Sequence, residues 1–415
     1  MKKHHNIILH IALIILIGAI GAYGLLFYRS LNFLAIASKN VSQAAQTAKE
    51  ILDTAVLIKS SASNRPFKDT RKELAKSGKP YLEVNLDKKI ITYVEPGQET
   101  IIVPIKKIGD PQGWGGTSAG LYNIASKSTV SLSSTAGVYM PYSMHIYGKY
   151  LIHGEPFYPS GEKTESDFSG GCVQVKDDLL APLFKKVTVG TPVLVVDKEY
   201  DNFKYATYRN ISFPALTADA YLVADVDSGQ ILLEKNADTV YPIASITKLM
   251  NVVVLAERVD LRKTVTASQW EFDIPFANPS VFIPGNSYNT IEAMYPTLVE
   301  SSNTGAEIVA SFLGRQNTVN LMNKKAKNLF MNNTVYVEPT GYNPENTSTA
   351  KDLYLLGRYI ANNRPPIFEI TKGNMVEHFA PIALDITKLN NRKEFAENPD
   401  FIGGKVGYTI QSRYT

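Results

Sequence analysis

A single cysteine in 415 residues means that no intrachain disulfide can hold this chain, so its stability has to come from ordinary apolar cores. With 44% hydrophobic residues over this length, more than one core can be buried, which favours two or three domains. The sole thiol, Cys172, is also left free to react. Nineteen positions before it stands one of only six histidines, His153, and the stretch from Ile152 to Val175 reads IHGEPFYPSGEKTESDFSGGCVQV. A thiol attacks a carbonyl as thiolate, and a neighbouring imidazole is the usual means of removing its proton near neutral pH. Gly170 and Gly171 leave the backbone before Cys172 free to turn tightly and aim N–H groups at a developing oxyanion. An arbitrary cysteine and histidine are more often a small buried apolar residue and a satisfied core histidine; here the surroundings reverse that balance.

The formal net charge is only +4, and residues 59–79 alone carry seven basic and two acidic side chains, a local +5. With no basic stripe left for the domains, nucleic acid is not expected as a partner. Met1 to His5 is basic, and Asn6 to Tyr28 is apolar without a charged residue, long enough to cross about 30 Å of hydrocarbon as a helix. Lys2 and Lys3 put the N-terminus in the cytoplasm and everything after Tyr28 outside. The expectation is a single-pass anchor in the cytoplasmic membrane, with a cleavable signal peptide as the competing reading because Ala19 to Ala22 offers small residues. From Leu31 to Ile58 a three-and-four spacing of apolar and alanine positions predicts an amphipathic helix, a stalk or dimer seam. Ser60 to Lys79 reads as a solvated linker.

Tyr81 to Asp87 alternates apolar and polar residues, the pattern of a half-buried strand. Pro96 and Gly97 turn the chain between Ile90 to Val94 and Ile101 to Ile105, predicting a hairpin. The domain reads as mostly β, with one helix at Asp177 to Lys185 before a closing strand at Val193 to Val196. His145 has no third ligand beside it and His153, so no metal site is expected. YLEVNLDKKIITYV, GGTSAGLYNI, MPYSMHIYGKYLIHG, SGGCVQV and VGTPVLVV, in this order and spacing, resemble the L,D-transpeptidase family of cell-wall enzymes, the YkuD fold. The resemblance implies that Cys172 is the nucleophile and His153 its base, with Ser169 and the Gly171 and Cys172 amides shaping the oxyanion loop. Gly170 stands where many members have a second histidine, and Gln174 where arginine or asparagine is common.

Asp197 to Phe213 is a polar connector, after which strands are expected at Ala220 to Val226 and Ile231 to Lys235. YPIASITKLMNVVVLAE is apolar nearly all round and reads as a buried helix. Ser245 and Lys248 are three apart on its first turn, where burial can strip a lysine of its charge and make it a base for the hydroxyl. Ser-x-x-Lys also occurs at Ser160 to Lys163 and Ser348 to Lys351, so the spacing alone decides little. FPALTADAYLVADVDSGQILLEKNADTVYPIASITKLM, ESSNTGAE, PTGYNPENTSTAKDLYLLGRYI and GGKVGYT are similar to the low-molecular-weight penicillin-binding proteins that act as D-alanyl-D-alanine carboxypeptidases. That resemblance implies Ser245 as acylated nucleophile, Lys248 as its base and Ser301 as proton shuttle. It also implies Asn303 as a substrate amide contact, and Lys405 with Gly407 as the substrate-binding edge. Val406 departs from the pattern, because valine cannot make the hydrogen bond that the family's hydroxyl makes there. The chain stops eight residues after Gly407, and the resemblance implies further strands, so the natural gene is expected to continue.

The expected organisation is multidomain: a transmembrane anchor (1–28), a stalk and basic linker (29–78), and a mostly-β YkuD-type domain (79–197). A connector (198–213) then leads to an α+β serine β-lactamase/penicillin-binding-protein-like domain (214–415). The expected function is processing of peptidoglycan stem peptides outside the membrane, without a cofactor or metal and with β-lactams as inhibitors. Transpeptidation at the cysteine is joined to carboxypeptidation at the serine, the rival being a second domain that only docks stem peptides.

Overall fold

The computed structural model describes residues 66–164, 170–198, 216–391, 396 and 398–415. The expected anchor, the helix from Leu31 to Ile58, most of the connector and Ser169 lie outside the described residues. Among the described residues no helix is long and apolar enough to cross a membrane.

The first correction concerns the linker. Residues 66–76 of it form a helix, α1 (Pro66–Lys76), with Pro66 at its start, Asp69 in the first turn and Lys76 in the last, where their charges suit the helix dipole. Its two large apolar residues, Phe67 and Leu74, stand among charged ones. Phe67 is buried, edge-on to Phe330 at 5.7 Å, and Arg71 makes a two-pronged ion pair with Glu83 at 2.6 and 2.8 Å. Tertiary contact, more than propensity, holds a helix this short.

Strands β1 (Tyr81–Asn85), β2 (Ile90–Val94), β3 (Ile101–Pro104) and β4 (Gly120–Asn123) share one sheet with β9 (Pro192–Val196), in the order β3-β2-β1-β9-β4. The hairpin expected around Pro96 and Gly97 is β2–β3, and Gly97 takes φ +76° there. The closing strand runs through the middle of the sheet, parallel to β1 and antiparallel to β4. That position corrects the reading of β1 as half-buried. Tyr81, Leu82, Val84 and Asn85 are all buried, and Asn85 Oδ1 accepts from Lys88 N at 2.8 Å to start the turn.

A second sheet contains β5 (Ser126–Ser133), β6 (Val138–Tyr147), β7 (Tyr150–His153) and β8 (Val173–Gln174), in that order. One helix, α2 (Asp177–Lys186), follows it. Leu82, Ile91, Met144, Ile152, Val173 and Leu180 meet in the core of this half.

The other half opens with the antiparallel pair β10 (Tyr221–Ala224) and β11 (Ile231–Lys235). A single 3₁₀ turn, Ala244–Ile246, leads into α3 (Thr247–Arg258), in which all residues but the last are buried. Around α3 stand α4 (Thr290–Val299), α5 (Asn303–Ser311), α6 (Arg315–Asn328), α7 (Ala350–Asn363) and α8 (Pro365–Lys372). Helix starts are fixed by side chains: Asn289 and Glu292 form a reciprocal cap on α4, and Ser302 Oγ accepts from Gly305 N on α5. Residues 216–218 apart, the described residues of both halves belong to one compact unit. Leu194 and Val196 of β9 and Trp114 pack into the same cluster as Met250, Val253 and Ile360.

Candidate active sites

The serine site is built where α3 begins. Three residues along a helix bring side chains onto one face, and Lys248 Nζ lies 2.8 Å from Ser245 Oγ. Two further acceptors surround the amine, Asn303 Oδ1 at 2.7 Å and the Thr340 carbonyl at 2.5 Å. Burial outweighs the attraction of Glu338 and Glu307 and brings the Lys248 pKa down to about 7. In its neutral form the amine has two N–H bonds, for Asn303 and Thr340, and one lone pair, for the Ser245 proton. That arrangement is what a general base for the Ser245 hydroxyl would need.

Backbone conformation fixes the position of Ser245. Ala244, just before Ser245, holds φ +44°, and Ser301 holds φ +61°, positions that a side-chain-bearing residue keeps only when its surroundings compel it. Gly341 and Gly407 flank the serine at distances that admit no Cβ: one on Gly341 would lie 1.8 Å from Ala244 O, and one on Gly407 would lie 2.9 Å from Ser245 N. Lys405 Nζ donates to Ser301 Oγ at 2.8 Å and to Val406 O at 2.7 Å. Gly407 exchanges backbone hydrogen bonds with Thr415 at 2.9 and 3.0 Å. The structure therefore joins Ser245, Lys248 and Asn303 directly, and Lys405 to Ser301. The Val406 side chain is exposed.

The other two Ser-x-x-Lys pairs make no such unit. Lys163 pairs with Glu155 at 2.8 Å and Lys351 with Asp238 at 3.3 Å, and Ser348 is bonded to Thr334. Two contributors to the serine site went unread in the sequence. Thr340 acts through its carbonyl, which no side-chain motif reveals. Glu338 accepts from Thr340 N, Thr340 Oγ1 and Gly341 N at 2.6–2.7 Å, and so shapes the loop that presents that carbonyl. The signal available was a lone carboxylate entering a run of Pro339, Gly341, Asn343 and Pro344, where several backbone N–H groups need an acceptor.

The cysteine site lies where β7 meets β8. The two strands run parallel, Ile152 opposite Val173 and His153 opposite Gln174, so Cys172 enters β8 beside the strand that carries the histidine. His153 Nδ1 is 2.6 Å from Gly154 O; a carbonyl only accepts, so Nδ1 carries the proton and Nε2 keeps its lone pair. Burial lowers the His153 pKa, so the ring is neutral at pH 7. Gly154 follows His153 because a Cβ there would lie 2.1 Å from Asp177 Oδ1, the atom that accepts from Glu155 N at 2.7 Å.

Cys172 is buried, its Sγ 3.7 Å from Lys149 O and against the Leu151 backbone. Burial pushes the thiol pKa up to about 11, against the pull of the Leu151 backbone and Lys149. At rest the thiol and the imidazole are thus both neutral. Gly170 and Gly171 take φ +57° and +102°. Gln174 is buried and pairs with Lys106 and Lys107 through its backbone. His145 Nε2 donates to Gly148 O at 2.7 Å. Among the described residues no three His, Cys, Asp or Glu side chains gather as metal ligands.

Known proteins match both halves. Residues 207–415, half of the chain, match the family described as Peptidase_S11, D-alanyl-D-alanine carboxypeptidase, and residues 79–195 match YkuD, the L,D-transpeptidase catalytic domain. The D-alanyl-D-alanine carboxypeptidase DacB2 of Mycobacterium tuberculosis is 30% identical over 50% of this chain and 71% of its own length. A D-alanyl-D-alanine endopeptidase of Pseudomonas aeruginosa is 36% identical over 37% of this chain, which spans about half (49%) of that relative. A solved D-alanyl-D-alanine carboxypeptidase from Mycobacterium tuberculosis aligns over 51% of this chain and 80% of its own, with 30% identity and a TM-score of 0.42.

Proposed function

The chain belongs to the D-alanyl-D-alanine carboxypeptidase family and carries an L,D-transpeptidase catalytic domain besides, and on that premise we propose a membrane-anchored enzyme that trims and joins peptidoglycan stem peptides at two sites. The observation that carries the proposal is the 2.8 Å contact between Ser245 Oγ and a fully buried Lys248. Neutral Lys248 takes the hydroxyl proton as Ser245 attacks the last peptide bond of a pentapeptide stem. The C–N bond breaks, the proton passes to the departing D-alanine amine through Ser301, and water then hydrolyses the ester.

What remains is a tetrapeptide. Cys172, its proton drawn to His153, attacks the new terminal peptide bond, releases D-alanine as a free amine, and passes the acyl group to an acceptor amine. One half makes what the other consumes, and a tether holds both near the same strand at an effective concentration of order millimolar. The apolar run from Asn6 to Tyr28 supports the anchor, and the residues that follow then face the wall. A fluorescent penicillin tests the serine assignment: covalent label on the full chain, lost in Ser245→Ala, is the expected result. An unlabelled wild type would leave the second half as a docking module. Membrane fractionation with and without residues 1–28 tests the anchor.

A further inference from the structure

We infer that Arg364, a residue of the serine half, is a positioning residue for the cysteine site, holding both walls of the slot in which Gly171 lies. Arg364 stands between α7 and α8 and is fully buried. Its Nη2 donates to the Tyr150 hydroxyl at 2.5 Å, and its Nη1 donates to the Gly116 carbonyl at 2.7 Å. Each of these groups leads to the turn before Cys172. A Cβ on Gly171 would lie 2.3 Å from the Tyr150 ring and 2.9 Å from Gly115 O. Gly171 is therefore packed closely against a ring and a peptide, and one guanidinium bonds that ring's hydroxyl and the peptide that follows, at Gly116. A planar fork suits this task, because it reaches two acceptors in fixed relation.

The clamp is seated on α3. Arg364 pairs with Glu257 at 3.0 Å, and Glu257 also pairs with Lys325 at 2.9 Å, all three side chains fully buried. Lys149, whose carbonyl faces the Cys172 thiol, donates from Nζ to Ala256 O at 3.3 Å. Helix α3 thus carries the serine site's base at one end and supports the floor of the cysteine site at the other, about 14 Å away at 1.5 Å per residue. A buried ion cluster is a costly way to fill space, and a positional task accounts for it.

The inference rests on the transpeptidase reading for its activity arm only. The test uses the full-length chain and the variants Arg364→Lys and Tyr150→Phe, the second of which keeps the ring and loses only its hydroxyl. Three rates are measured: iodoacetamide alkylation of the sole cysteine, D-alanine release from a tetrapeptide stem, and penicillin acylation at Ser245. The expected result is alkylation at least about fivefold faster and kcat on the tetrapeptide at least about tenfold lower, with KM and Ser245 acylation within about twofold. Unchanged alkylation in both variants would overturn the inference. So would a parallel fall of Ser245 acylation and Tm, which marks a merely structural residue. If the wild type releases no D-alanine from tetrapeptides, the transpeptidase reading fails, and the alkylation rates still decide the role of Arg364.

Discussion

Lys405 donates to Ser301 Oγ at 2.8 Å across 104 positions of sequence, so the lysine of the proposed substrate-binding edge also sets the donor state of the proposed proton shuttle. With Lys405 supplying a proton to its oxygen, the Ser301 O–H is free to point elsewhere, which a relay toward a departing amine requires.

The first prediction follows from that pair. Ser301→Ala and Lys405→Ala each slow penicillin acylation of Ser245 by about 10²–10⁴-fold, the usual range for a lost proton-transfer partner, while the melting temperature stays within a few degrees. Acylation at the wild-type rate in Ser301→Ala, measured by stopped-flow fluorescence, would remove the shuttle from the mechanism.

Lys248 gives a pH dependence. Its pKa is lowered, to about 7, and the neutral amine is the active form, so acylation rises tenfold per pH unit below 7 and levels off above it. The stability sign is the reverse of an ordinary lysine's: protonating the buried amine costs stability fully below pH 7, and the cost is relieved as pH climbs toward 10.5. A flat acylation profile between pH 5.5 and 8.5 would show that Lys248 is not the base.

At the cysteine site His153→Ala abolishes D-alanine release from tetrapeptides, as Cys172→Ala does, whereas His145→Ala keeps most of it. His145 bonds the Gly148 carbonyl, a contact within its own turn. Because burial raises the thiol pKa to about 11, alkylation of the resting enzyme stays slow at pH 8 and climbs up to about pH 11. Equal loss of activity in the two histidine variants would reassign the base.

Glu257→Gln leaves Lys325 and Arg364 buried without their counter-charge. Burial alone would raise the Glu257 pKa; Lys325 and Arg364 overcome it and hold the carboxylate ionised. The variant loses about 3–5 kcal/mol, read as a lower urea midpoint. A loss under about 1 kcal/mol would mean that the cluster is solvated in the working protein.

The sequence was most legible where chemistry is local. Ser245 and Lys248 lie one helical turn apart, so spacing and a buried apolar helix sufficed to pair them. The hairpin β2–β3 was likewise written in Pro96 and Gly97. Contacts made by main chain or across the two halves were not legible. Thr340 contributes a carbonyl, and Arg364 sits in NNRPPIF, where an arginine before two prolines reads as a surface residue. Helix α1 reads as linker in the sequence because seven basic residues mask Phe67, whose ring partner Phe330 lies in the distant half, and Leu74. Alternation places Asn85 on the polar face of β1 and does not reveal that it is buried, its side chain holding the turn at Lys88.

The sharpest test of the two-site account is the mass of the products from defined pentapeptide and tetrapeptide muropeptides, with the wild type and Ser245→Ala compared on each. The account predicts that the wild type carries both stems through to products of the cysteine reaction, and that Ser245→Ala does so only from tetrapeptides. Equal use of pentapeptides by the two proteins would contradict it, for the serine half would then not be feeding the cysteine.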